Sequence, residues 1–230
     1  MARNDLRQYD VLADQWWRPD GEFAALHWLA EARGALIPAP ARGGALLVDV
    51  ACGGGLMAGH VPGGYRHLGV DRVGSALVHA RDHGLEVVQG DVTALPLADG
   101  CADVVLAGEI LEHVADLERA VAEVARVAAP GGLVVLDTIN ATPWARFSLV
   151  TVGERIPGGP PLHCHDPALF VPPEVLRALF ARHGIALRVR GLRFSVRDFL
   201  GFLRRRDRRV RMLPTRSLAA VYQGIGRKAA

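Results

Sequence analysis

Lysine is all but missing from this chain: Lys228 stands alone against 26 arginines in 230 residues. Cysteine is scarce too. Cys52, Cys101 and Cys164 are odd in number and have no metal-ligand spacing among them, which excludes a disulfide framework and points to a reducing, cytoplasmic setting. No apolar run approaches the roughly 18 residues of a membrane span. The opening stretch MARNDLRQYD is charged with no apolar segment after it, so a secretory signal is not expected. Internal repeats and low-complexity linkers are lacking as well. The net charge of +3 is too small to argue for nucleic acid, and no basic face interleaved with aromatics is visible. Cationic charge gathers in one place only, RRRDRRVR at 204–211.

Half of the residues are hydrophobic, enough for an ordered globular core, and the length suits one domain spanning 1–230. From 45 to 140 the chain alternates strand-like and helix-like segments, the pattern of a parallel sheet with helices on both faces. Strands are expected at 45–51, 66–71, 85–91, 101–108 and 132–140. A helix runs on from GSALVHARDHG, and an amphipathic one over 116–132 is closed by Pro130 and glycine. Residues 1–40 read as a helical cover. The segment 141–172, rich in Pro and Gly, is too long for an ordinary connection and reads as a binding loop. Residues 173–230 supply a helix at 173–183, a strand at 185–194 and a closing strand at 220–226.

The cluster DVACGGGLMAG sits between a strand and a helix, where backbone amides can face a polar ligand. Residues 53–58 fit the dinucleotide pattern G-x-G-x-x-G/A, with Asp71 as the ribose-binding acid, so a nicotinamide-dependent dehydrogenase is one reading. S-adenosylmethionine explains more. Acids close three successive strands: Asp49 before the glycines, Asp71 after the second strand, Asp91 after the third. Gly53 and Gly55 permit close approach of the methionine part. Asp71 accepts the ribose hydroxyls, and Asp91 with the amide of Val92 addresses adenine. A cofactor-binding protein without catalysis is a third reading.

These residues resemble the class I S-adenosylmethionine-dependent methyltransferases, and in particular the ubiquinone-biosynthesis O-methyltransferases that act on polyprenylated catechols. The resemblance spans nearly the whole chain and is carried by DVACGGG, GVD, GD and APGG, then by WW with GEFAALH (16–27), Arg33, GEILEHV (108–114), TIN (138–140), VGE (152–154) and HD with F and P (165–173). It implies a Rossmann-like sheet with an N-terminal helical cover and an insertion after the fifth strand. It also implies that Arg33 contacts the carboxylate of the methyl donor, that Ala51 belongs to the cofactor loop and that Gly108 lies against adenine or ribose. Three positions depart from that family: Ala51 stands where glycine is usual, Gly108 where a bulkier residue is, and Asp137 where serine is. Ala51 is expected to be tolerable provided that its φ is negative. Asp137 adds a carboxylate where the fifth strand opens toward the substrate.

Methyl transfer to a phenol requires the acceptor oxygen to be positioned and its proton removed. Glu109, Glu112 and His113 stand at i, i+3 and i+4, which places them on one face of a helical turn. They can line the site, with Glu109 and His113 in the wall, or hold Mg²⁺, as the resemblance implies. His165, followed by Asp166, is a second candidate base, whereas His163 and Cys164 have no assigned part. Trp16, Trp17 and Phe23 serve as core or as an aromatic lid. The acceptor is a polyprenyl catechol or, alternatively, a soluble phenolic metabolite. WARFSLVTVGERI (144–156) and DFLGFLRRRDRRVR (198–211) pair apolar residues with arginines, which suits an anionic membrane surface.

Overall fold

The computed structural model of the protein describes residues 3–230. Its strands are β1 (Ala45–Val50), β2 (Tyr65–Asp71), β3 (Glu86–Gln89), β4 (Ala102–Gly108), β5 (Ala128–Ile139), β6 (Arg188–Phe194), β7 (Met212–Thr215) and β8 (Val221–Arg227). Its α-helices are α1 (Arg7–Val11), α2 (Ala24–Gly34), α3 (Gly74–Asp82), α4 (Leu117–Val127), α5 (Pro143–Ala145), α6 (Pro173–Arg182) and α7 (Val196–Leu203). The strands form one sheet in the order β3-β2-β1-β4-β5-β8-β6-β7. β1 to β5 run parallel, while β8 is antiparallel to both β5 and β6, and β7 is antiparallel to β6.

Continuous apolar runs suit strands covered on both faces. Successive side chains alternate between two cores: Val48, Val105 and Val134 pack with Val121 and Val124 of α4 and Leu176 and Phe180 of α6. Leu47, Val104, Leu106 and Val135 pack with Ala30 of α2, Ala76 of α3, Trp16 and Phe23. Each Val, Leu or Phe among them contributes about 1.5–3 kcal/mol when fully buried. Residues 3–40 therefore cover one face of the sheet, as the pattern of apolar residues predicts.

The boundaries differ from expectation in three places. α4, capped by the Asp116 carboxylate accepting from Arg119 N at 2.9 Å, ends at Val127 and not at 132. Ala128 turns extended, so Pro130 and Gly131 open β5 instead of closing the helix. Residues 141–172 are less irregular than a plain loop. Thr142 caps α5, the chain continues as a π-helical stretch over Arg146–Val152, and single turns follow at Gly153–Arg155 and Pro167–Leu169. Finally, α7 and the short edge strand β7 occupy the region read only as a basic apolar stretch. Arg209 pairs with Glu31 and Arg211 with Asp198, whereas Arg204, Arg205 and Arg206 are exposed.

Candidate active site

The loop leaving β1 turns sharply at its first residue. Ala51 has φ +56°, so the condition for an unstrained alanine, a negative φ, is not met: an L side chain occupies a left-handed position. Such a position costs an alanine about 1–2 kcal/mol, partly offset because glycine loses more entropy on folding. Ala51→Gly is expected to raise the urea midpoint, equivalent to about 0.5–1 kcal/mol. Gly53, at φ +52°, is obligatory for another reason: a Cβ there would press into the ring of Trp16. Trp16 lies on the glycine loop and stacks on Phe23 at 4.1 Å, with Tyr9 6.1 Å beyond, and all three face the same cavity. Trp17 donates its indole N–H to Gly54 O at 2.8 Å. Trp16 and Phe23 are thus core side chains that also line the cavity.

Asp71 at the end of β2 ties this loop down. Oδ2 accepts from Gly53 N and Oδ1 from Val73 N, both at 2.8 Å, and the residue lines the cavity. Burial pushes its carboxyl up, against the pull of those amides. Asp49 also lines the cavity, and its Oδ2 has no hydrogen-bond partner. Gly90 and Val92 form the wall after β3. Asp91 does not: its Oδ1 accepts from Thr93 N and Oγ1, its Oδ2 lies 3.2 Å from Arg72, and the side chain is off the wall, as is Gly55.

Arg33 on α2 reaches the cavity, but not freely. Asp137 takes its Nη2 at 2.6 Å and its Nε at 3.0 Å, in a pair buried on both sides. This corrects the expectation for Asp137, which lies off the cavity wall and faces the arginine rather than a substrate. Gly108 makes the arrangement feasible. It pairs with Asp137 across β4 and β5, and a Cβ at 108 would overlap the guanidinium. Without a side chain there, the arginine lies flat over β4 and meets the carboxylate beyond it.

After β4 the chain enters a left-handed residue, Glu109 (φ +55°), and then a 3₁₀ turn at Leu111–His113. The single helical face expected for Glu109, Glu112 and His113 therefore does not form. Glu109 and His113 line the cavity, whereas Glu112 is fully buried off the wall, accepting from Thr138 Oγ1 at 2.7 Å. Burial, reinforced by the Glu112 carboxylate, lifts Glu109 well above the usual carboxylate range; burial pushes Glu112 up to about 7. Mg²⁺ wants convergent, ionised oxygens in octahedral geometry, and these three residues do not supply them. Among the described residues, one set of possible ligands converges: His113, Cys164 and His165, with ligating atoms within 4.8 Å of one another. Cys164, given no part from sequence, was missed because it lies 51 residues from His113. Burial lowers His113 to about 4 and His165 to about 3, and raises the Cys164 thiol to about 12. Asp166 does not orient His165; it caps the following turn by accepting from Ala168 N.

Asp49, Asp71, Arg33, Glu109, His113, Cys164 and His165 all open on one cavity of about 710 Å³. It begins at the glycine loop and Asp71, passes the wall of Glu109, His113 and His165, and reaches the exposed apolar side chains Trp144, Phe147 and Phe194. Ligands of open α/β sheets bind at the carboxyl ends of the strands, where this cavity lies. Asp49, whose Oδ2 lies 3.5 Å from His67 Nε2, Asp71 and Glu109, whose Oε1 has no hydrogen-bond partner, give the wall acidic groups that fit a ligand bearing hydroxyls and an ammonium group. The fold and the site define an S-adenosylmethionine-dependent methyltransferase.

Comparison with known proteins agrees. The methyltransferase domain family matches residues 48–136. A ubiquinone biosynthesis O-methyltransferase of Methylococcus capsulatus is 35% identical over 189 residues, covering 78% of this chain and 79% of the relative. One from a Caulobacter species is 34% identical over 199 residues, covering 77% and 79%. Among solved structures, an S-adenosylmethionine-dependent methyltransferase of Thermotoga maritima shares the fold with a TM-score of 0.68 at 20% identity, covering 96% of each chain. The chain belongs to the ubiquinone biosynthesis O-methyltransferase family.

Proposed function

We propose that this enzyme methylates a phenolic oxygen of a polyprenylated catechol in ubiquinone biosynthesis. The observation that carries the reading is the continuity of the cavity: one end suits the methyl donor, and the other opens among exposed apolar side chains. Asp71 holds the ribose, the wall at Gly90 and Val92 takes adenine, and Gly108 makes room for the Arg33 guanidinium rather than for the ligand. The loop of Ala51 and Gly53 lies along the methionine part, whose ammonium meets Asp49 and whose carboxylate meets the free edge of Arg33, while Gly55 packs against Ala80 of α3. Asp91 acts indirectly, by shaping the turn that presents Val92.

The acceptor ring then lies against Glu109, His113 and His165, the end of the cavity where the phenolic proton leaves. Bound along the glycine loop, S-adenosylmethionine would supply an activated methyl group to the acceptor oxygen, the O–C bond replacing the S–C bond and the sulfonium becoming a neutral thioether. The leaving group is already good, so the protein's contribution is orientation and handling of the acceptor proton. Glu109, on the same wall, lies beside the neighbouring catechol oxygen.

The prenyl tail leaves the cavity along Trp144, Phe147, Phe194 and Val196. With Arg146 and the exposed Arg204, Arg205 and Arg206, these residues suit a peripheral contact with an anionic membrane on its cytoplasmic side. No helix among the described residues is long and apolar enough to cross a membrane. The test is acceptor selectivity. Lengthening the prenyl substituent of a catechol should lower KM steeply, since each buried CH₂ contributes about 0.8 kcal/mol. Equal kcat/KM for bare and prenylated catechols would favour a soluble phenolic metabolite instead.

A further inference from the structure

We propose that His113, Cys164 and His165 form a site for a soft divalent cation, Zn²⁺, at the acceptor end of the cavity. The inference deepens the reading above and rests on it only for the site's use in catalysis.

The three residues come from two distant segments: His113 from the turn after β4, Cys164 and His165 from the far end of the insertion. All three line the cavity, and their donor atoms already lie within 4.8 Å of one another. Zinc bonds of about 2.0–2.1 Å to nitrogen and 2.3 Å to sulfur imply tetrahedral donor separations of roughly 3.3–3.8 Å. Adjustments of about 1 Å, within the reach of small side-chain rotations, would close the set. The imidazole rings stand 5.2 Å apart and 21° from parallel, so neither blocks the other.

Each donor has a supporting group. Asn4 Nδ2 donates to His113 O at 2.9 Å, which turns its Oδ1 toward the His113 ring, 2.7 Å from Nδ1. The proton is thereby assigned to Nδ1, and Nε2 keeps its lone pair. His165 Nδ1 is buried with no hydrogen-bond partner, and Glu154 Oε1 lies 3.9 Å away. The Tyr9 hydroxyl lies 3.5 Å from Cys164 Sγ, placed to donate to a thiolate. Arg3 anchors the insertion from the N-terminal side by donating to Glu154 at 3.0 Å and to His165 O at 2.8 Å.

Two imidazoles and a thiolate select zinc-like cations over magnesium. Three protein ligands with one open position is the pattern of a catalytic zinc site, and the open position faces the cavity. A phenolic oxygen would occupy it after giving its proton to water. One thiolate on a divalent cation leaves a net charge of +1, complementary to a bound phenolate, because the Glu154 charge is already matched by Arg3.

Metal binding is measured on the full chain without acceptor, so the result does not depend on the substrate assignment. Protein stripped with a chelator should take up one equivalent of Zn²⁺ per chain. With Co²⁺ it should show visible bands of a tetrahedral site and a near-ultraviolet thiolate-to-cobalt band. Cys164→Ser should erase the thiolate band, and His165→Ala should weaken Zn²⁺ binding by more than about 100-fold. Asn4→Ala should weaken it by about 10–100-fold, the usual effect of losing an outer partner. S-adenosylmethionine affinity reports that each variant is folded. Absence of stoichiometric Zn²⁺ in the wild type, or a thiolate band that survives Cys164→Ser, would overturn the proposal. A metal-loaded enzyme that fails to methylate prenylated catechols would instead count against the acceptor assignment.

Discussion

Asp137→Ala is expected to destabilise the protein by about 3–5 kcal/mol, the usual effect of removing one partner from a buried ion pair. Asp137 is fully buried and engages Arg33 through three short contacts, so its loss strands a guanidinium at 6% exposure. The second half of the expectation distinguishes this pair from an ordinary structural bridge. Arg33 also lines the cavity, so in the variant its unpaired donors can turn to the carboxylate of the methyl donor. Adding S-adenosylmethionine should therefore raise the denaturation midpoint of Asp137→Ala more than that of the wild type. A loss below about 1 kcal/mol, or equal cofactor-induced shifts, would mean that the pair is solvated and Arg33 is not committed to the site.

Asp71 should show the largest effect on the methyl donor. Two charge-assisted hydrogen bonds to ribose, at about 1.5–3 kcal/mol each, correspond to a loss of roughly 10²–10⁴ in affinity for Asp71→Ala. Asp71→Asn should do nearly as badly, for a reason specific to this loop. Both carboxylate oxygens already accept backbone N–H groups, from Gly53 and Val73. An amide must point its NH₂ at one of them, which disturbs the glycine loop as well as the ribose contact. Calorimetry on the two variants checks this, and near-wild-type affinity for Asn would show that Asp71 does not anchor the loop.

The parts of the fold written in local pattern were legible. Apolar runs ending in an acid marked β1 to β3, and the glycine cluster marked the cofactor loop, because backbone approach leaves a trace in composition. β7 was hidden: Met212–Thr215 is four residues long and contains Pro214, which an edge strand tolerates and a pattern search rejects. α4 was overrun because a helix followed directly by a strand leaves no loop to mark the boundary. Glu109 misled for a related reason. Its spacing to Glu112 and His113 fits a helix, but a left-handed residue and a 3₁₀ turn break the face.

The site's pairings were less legible than its members. Arg33 was found by resemblance and Asp137 noticed as a departure, yet nothing local joins residues 104 apart. That contact follows from the β4–β5 register and the missing side chain at Gly108. Asn4 and Cys164 meet His113 only through the fold of the insertion. Asp91 shows the converse, an acid at a strand end that serves its own turn.

The most direct measurement is a transfer experiment with S-adenosylmethionine carrying a ¹³C methyl group and a short-chain prenylated catechol. The account predicts that the label appears as an aryl methoxy carbon, in step with formation of S-adenosylhomocysteine, and that Asp71→Ala reduces both together. Label retained on the sulfonium with a bound catechol, or recovered on carbon rather than oxygen, would contradict it.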